Sequence, residues 1–317
     1  MNIDQISSEI ATRLSTNEAE AEMIVAKAIA GGETSEVNIS EWYEQRFLPN
    51  LVLIDEDGYS RMCIDALKIL DKTAATDYGG SRQRDMGQLW ADMTRGYLGE
   101  LAFQLFLKSK GTEIKLGHER GELSDYLVGD IREVKKPGED SRPPKVQVGI
   151  KTTKWNGIWF DFPGDQFNHS AAHTFIKVGT GRNHLFAFFK KISVFKDKVL
   201  KVGQDIGLLT TDESTNIYNE LPTFKPIPAY ISGFVLREPG YPVSSYGGRK
   251  GRLHYKITSW SGPINTSDLE KIRETEHVTG KIEFEGIGKF SHDRGYLFNT
   301  GSLLWKEEDW GNLIGKL

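Results

Sequence analysis

A mixed α+β (α/β) chain is predicted by three observations. The N-terminal quarter follows helical spacing, one long amphipathic helix comes after it, and the pattern changes to period two from about residue 112. In residues 1 to about 75, Ile6, Ile10 and Leu14, then Met23, Ile24, Ala28 and Ile29, recur three and four residues apart. A loop around Gly31-Gly32-Glu33-Thr34 leads to a second helical stretch holding Trp42, Phe47 and Leu51. Tyr78-Gly79-Gly80-Ser81 breaks the pattern, and Ser81 is placed to cap the next helix.

That next helix carries a stripe of Met86, Trp90, Met93, Tyr97, Leu101 and Leu105. It stops near Lys108-Ser109-Lys110-Gly111, where lysines complement the helix end and glycine closes it. Glu100 falls on the packed side of this helix, so it needs an arginine or a metal as partner. Beyond it, strands are expected at 124–128, 131–136, 146–153, 157–162, 173–178, 184–189 and 192–195. Residues 196 to 240 look less regular, and further strands follow at 229–236, 253–260 and 281–284. Three consecutive regions result: helical 1–80, a core at 81–195 and a β-rich 196–317.

Composition narrows the class. Hydrophobic residues at 38% and charged residues at 26% exclude a disordered chain, and 317 residues suffice for a sizeable core. No apolar run approaches the roughly 18 residues of a membrane span. No signal peptide is visible at Met1-Asn2-Ile3-Asp4, and Cys63 is the only cysteine, so a reducing, cytoplasmic location is expected. A net charge of −4 excludes a general polycation but leaves local basic clusters to meet nucleic acid. Such clusters are Arg82 with Arg84, Lys151 to Lys154, Lys190 with Lys191, and Arg249-Lys250-Gly251-Arg252.

The chemistry centres on Val146-Gln147-Val148-Gly149-Ile150-Lys151-Thr152-Thr153, which delivers a lysine to the end of an apolar strand. An aspartate on a neighbouring strand and a divalent cation would account for it. Two windows offer the acids. In the first, Asp125 precedes Glu133-Val134-Lys135. A two-residue turn at Gly129-Asp130 would oppose Asp125 to Val134, turning it away from Glu133 and Lys135. Those two then read as a solvated hairpin face. In the second window Asp125 joins Lys151. Gln147 and Gly149 share the face of Lys151, and Gly149 stands where a second acid is expected. Glu100 and Asp165 are the candidates to supply that acid. Gln147 offers only a neutral oxygen.

Gly99-Glu100-Leu101-Ala102-Phe103, Ser124-Asp125-Tyr126-Leu127-Val128 and Gly149-Ile150-Lys151-Thr152-Thr153 together resemble the PD-(D/E)XK nuclease superfamily. The runs Gly157-Ile158-Trp159-Phe160-Asp161-Phe162-Pro163 and Thr174-Phe175-Ile176-Lys177-Val178 continue the resemblance in order, over about residues 95 to 190. Within it the chain is most similar to a type II restriction endonuclease. The resemblance implies a mixed central sheet flanked by helices and a Mg²⁺-dependent, sequence-specific cut in double-stranded DNA, as in restriction–modification. Asp125 would bind metal with Glu100 or Asp165, Lys151 would act at the attacking water, and Gln147 completes the catalytic candidates. Cutting a two-fold site calls for a homodimer. Gly149 departs from the family's Glu or Asp. That departure keeps open a DNA-binding module that has lost catalysis, and the loops outside the core keep open a structure-selective repair or junction nuclease.

Outside that core, Ser244-Ser245-Tyr246-Gly247-Gly248-Arg249-Lys250-Gly251-Arg252 reads as a basic loop suited to a DNA groove. Arg249, Lys250, Arg252 and Lys154 are the DNA-contact candidates. His169 and His173 have a spacing that suits zinc on a helix, but with no third ligand they read as ordinary polar residues. Trp305 and Trp310 read as core anchors.

Overall fold

Capped helices open the chain. Asn2 accepts a hydrogen bond from the Gln5 N–H and starts α1 (Ile3–Leu14), and Asn17 does the same for Glu20 at α2 (Glu18–Ala30). Ile6, Ile10 and Leu14 pack with Ile24, Val25 and Ala28, as their spacing predicts. A single turn, α3 (Ile39–Glu41), and a π-helical turn over Trp42–Phe47 add Trp42, Tyr43 and Phe47 to this core. A short strand, β1 (Leu51–Ile54), follows where only helix was expected. Four apolar residues in a row carry no period that separates strand from helix. Asp55 then caps α4 (Glu56–Lys68). The computed structural model describes residues 1–69, 85–117, 130–237, 247–250, 254–259, 261–265, 281–284 and 294–317.

The long helix α5 (Met86–Ser109) forms where it is expected, but its buried face is corrected: Leu89, Leu98, Ala102, Phe103, Phe106 and Leu107 are buried, whereas the expected stripe is half-buried and its Met86 is exposed. After it, β2 (Glu113–Leu116) pairs antiparallel with β3 (Ile131–Lys135). Next come β4 (Val148–Lys154), β5 (Trp159–Pro163), the short helix α6 (Gly164–Asn168) and β6 (Ala172–Val178). Residues 184–189 are helical, within α7 (Arg182–Lys191), and 192–195 lead into a π-helical turn over Phe195–Leu200. Their expected strands are therefore corrected. An apolar run of this length suits either state, and Lys190 and Lys191 at its end favour the helix. Helices α8 (Lys201–Asp205) and α9 (Thr211–Glu220) precede β7 (Ile227–Leu236).

Strands β8 (Gly247–Lys250), β9 (His254–Ser259), β10 (Ser261–Asn265), β11 (Lys281–Phe284) and β12 (Arg294–Asn299) supply two small sheets before α10 (Glu307–Lys316). The basic loop is corrected in part: 247–250 form β8, where Arg249 pairs with Lys256 and Lys250 with Tyr255 of β9. The fold is mixed α+β. Its four-stranded sheet has the order β1-β7-β6-β4, with β4 parallel and β7 antiparallel to β6. No helix among the described residues is long and apolar enough to cross a membrane.

The chain groups into two compact units, each drawn from separated stretches. One holds Met1–Val52, Gly99–Val178 and Ala229–Leu317, and the other holds Leu53–Leu98 and Gly179–Pro228. This grouping cuts across the three consecutive regions expected from sequence, because the chain leaves the first unit and returns to it twice. In the second unit, Tyr59 packs against His184, Phe188 and Phe224, and Trp90 donates its indole N–H to the Cys63 carbonyl. In the first, Trp310 of α10 is fully buried against Phe103, Phe106 and Phe234, the anchoring role its composition suggested.

The first unit also buries an ion pair. Glu33 and Lys177 meet at 2.7 Å with side chains 0% and 4% exposed. Tyr230 Oη and Trp42 Nε1 donate to the same carboxylate at 2.7 and 3.2 Å. Arg46 donates to the Ser232 and Thr300 carbonyls, tying the N-terminal helices to β7 and the segment after β12. Burial alone would raise the Glu33 carboxyl, but Lys177 and Arg46 outweigh it and bring it down to about 2.

Candidate active site

Strand β4 positions the central lysine. Its parallel register with β6 pairs Gly149 with His173 and Lys151 with Phe175. Alternation puts Gly149, Lys151, His173 and Phe175 on one face. Lys151 Nζ donates to Gln166 Oε1 at 2.7 Å and lies 5.5 Å from the centre of the Phe162 ring. Asp161 of β5 and Asp130 act on it electrostatically. Burial lowers the Lys151 ammonium below the ordinary lysine range, and these two acids only partly restore it.

Asp130, immediately before β3, is one of the two acids whose charge acts on this lysine. Its Oδ2 accepts the backbone N–H of Ile150 at 2.5 Å, between Gly149 and Lys151, and its own N–H donates to the Val148 carbonyl at 3.3 Å. The sequence reading saw Asp130 only as a turn residue. Its position directly ahead of a strand, next to glycine, was the available signal.

Glu100 reaches the same place from α5. At Gly99, an added Cβ would overlap the Thr152 side chain, so glycine is what allows α5 to lie this close to β4. The next residue, Glu100, is half-buried and shares its environment with Asp130. Burial, then the Asp130 charge, raises the Glu100 carboxyl well above its usual value. Burial also raises Asp130, against the Ile150 N–H, Lys151 and Arg132, which favour its ionised form. Two carboxylates pushed upward side by side disfavour holding both charges without a cation.

The remaining predicted residues divide clearly. Asp125 and Arg252 lie outside the described residues. Asp165 is in α6, Arg249 and Lys250 are in β8, and Lys154 is exposed at the end of β4. Gln147 precedes β4, and among the described residues its buried Oε1 meets no hydrogen-bond donor. Glu133 is held by Lys115 at 3.1 Å and Ser141 at 2.8 Å on the β2–β3 hairpin, the surface role expected of it. His169 follows α6 while His173 lies in β6, so the two do not share a helix.

His173 was passed over as an ordinary polar residue. It is 3% exposed, donates Nε2–H to the Phe167 carbonyl at 2.9 Å, and packs against the Phe162 and Phe167 rings, which also touch each other. Burial, reinforced by the Lys151 and Arg237 charges and only partly opposed by the Phe167 carbonyl, lowers its pKa to about 4.

No family model, curated protein or solved structure matches the chain.

The donor set suits a hard divalent cation. Glu100 and Asp130 offer carboxylate oxygens, and Mg²⁺ is commonly held by one or two carboxylates with water and phosphate oxygens completing its shell. Among the described residues no three or more His, Cys, Asp and Glu side chains are grouped to enclose a metal.

Proposed function

We propose that this chain is a Mg²⁺-dependent, sequence-specific double-strand DNA endonuclease of the type II restriction kind. We also propose that α5, β3, β4 and β6 form a restriction-endonuclease-like core. One observation carries the reading: Asp130, held on the Ile150 N–H next to Lys151, shares its electrostatic environment with the half-buried Glu100 and with the Lys151 charge. Glu100 and Asp130 would hold the ion. When bound, Mg²⁺ supplies charge stabilisation at the phosphoryl oxygens and lowers the pKa of water. Lys151, steadied by Gln166, would donate to the scissile phosphate or orient the attacking water. Lys154 stands exposed three residues further along β4, placed for a neighbouring phosphate. Two copies would pair to cut a two-fold site.

A DNA-binding module without catalysis is the second reading. Gly149 favours it, since the position two before Lys151 brings no acid. One experiment separates the two. Unmethylated phage or plasmid DNA is incubated with Mg²⁺ or EDTA, using the wild type and Lys151→Ala. Discrete bands that need Mg²⁺ and vanish with the variant are expected. DNA retardation without cutting would leave the binding module, and neither cutting nor binding would end both readings.

A further inference from the structure

Gly149 invites a reading as a lost acid, but the space beside it is filled. A Cβ built on Gly149 would come within 2.6 Å of His173 Nδ1 and 3.1 Å of its Cε1, with Ser170 Oγ at 3.5 Å. Real Cβ atoms essentially never approach a neighbour that closely, and the nearest atoms belong to a buried ring, not a mobile tip. The ring is fixed on its other edge, because Nε2 faces the Phe167 carbonyl, which can only accept. Nε2 therefore carries the hydrogen, and in the neutral ring Nδ1 carries the lone pair. Nδ1 is the ring atom nearest Gly149, on the sheet face that holds Lys151.

We propose that Gly149 and His173 are a matched pair: the imidazole stands where a side chain at 149 would, and Nδ1 is the acceptor beside Lys151 in place of a carboxylate. The pairing follows from geometry, whereas the use of Nδ1 to hold the attacking water rests on the endonuclease reading. In this arrangement the acceptor is delivered by β6, the neighbouring parallel strand, instead of by β4. Glycine at 149 is then a requirement of the site, not its decay.

Three measurements test this, two of them independent of cleavage. Gly149→Ala should lower the melting temperature, and His173→Ala added to it should cost less than the two separate losses combined. Additive losses would overturn the pairing. Imidazole ¹⁵N spectra of the wild type should show a protonated Nε2 and a bare Nδ1. A protonated Nδ1 would overturn the acceptor.

Cleavage rates with Mg²⁺ then separate the two ring nitrogens. Asn places an amide near Nδ1, while Gln reaches the Nε2 position and can keep the bond to Phe167. His173→Asn should retain cleavage within a few-fold, and His173→Gln should lose about 100-fold. The reverse order would make His173 only a clamp on Phe167 and overturn its role at the water. A wild type that cuts no DNA would remove the endonuclease reading and, with it, the water-holding role. The melting and ¹⁵N results would still decide the pairing and the acceptor.

Discussion

One compact unit buries two groups of charges, and they are built on opposite principles. Around Glu33, one carboxylate meets Lys177, Tyr230 and Trp42 as donors, with the Arg46 charge nearby. Around Asp130, the Lys151 and Arg132 charges act on Asp130, Glu100 meets the Asp130 charge, and Asp161 acts on the same lysine. The physical outcome differs in sign. Cations pull Glu33 down to about 2, whereas burial pushes Glu100 and Asp130 up, the former aided by its acidic neighbour. A closed group of the first kind locks elements together. An acid-rich group of the second kind costs stability where both acids are ionised, and a cation bound there, as proposed, would offset that cost.

Exchanging one lysine at each group should separate the two roles. Lys151→Ala should lower Mg²⁺-dependent cleavage by about 1,000-fold or more, roughly 4 kcal/mol of barrier. It should change the thermal midpoint little. Lys177→Met should do the converse. It strands the Glu33 carboxylate in the interior, at a cost of about 3–5 kcal/mol in chemical denaturation. Equal losses of stability from both variants would erase the distinction.

Acid should act on the groups in opposite directions. Glu33 has a folded pKa of about 2, below its ordinary 4.5. Its contribution is fully present above pH 4.5 and is lost as pH falls toward 2, about 3 kcal/mol in all. Glu100 and Asp130 are raised, so they cost stability where ionised and regain it as pH falls through their folded values. Denaturation of Glu33→Gln across pH 2 to 5 isolates the first effect. A variant as steeply acid-sensitive as the wild type would refute it.

Sequence revealed what periodicity and strand order carry. The helical N-terminus, β3, β4, β6 and β7 follow from apolar spacing, whereas α5 buries a different face from its expected stripe and Lys151 sits within β4, not at its end. Local chemistry was harder to read. His184 to Phe189 has the apolar content of a strand yet closes a helix, because period alone does not decide short runs. Asp130 was hidden because its role depends on a contact with Ile150, 20 positions away. His173 was hidden for the same reason. Its meaning comes from a strand register that brings it beside Gly149, which no spacing in one segment encodes.

The smallest expected effect discriminates best. Asp130→Asn removes one of two crowded carboxylates and leaves an oxygen to accept the Ile150 N–H. Relief of burial and repulsion should stabilise the metal-free protein by about 1 kcal/mol, even though a buried charged acceptor is lost. Glu33→Gln, the same chemical change, should destabilise at neutral pH, because it unpairs Lys177. Added Mg²⁺ should raise the wild-type midpoint by binding only the folded state and should leave Asp130→Asn nearly unmoved. Opposite signs for one substitution type at two sites would show that a fold keeps one buried acid for cohesion and another at a loss. If Asp130→Asn destabilised as Glu33→Gln does, Asp130 would be a structural cap on β4, and the metal would have to be sought elsewhere.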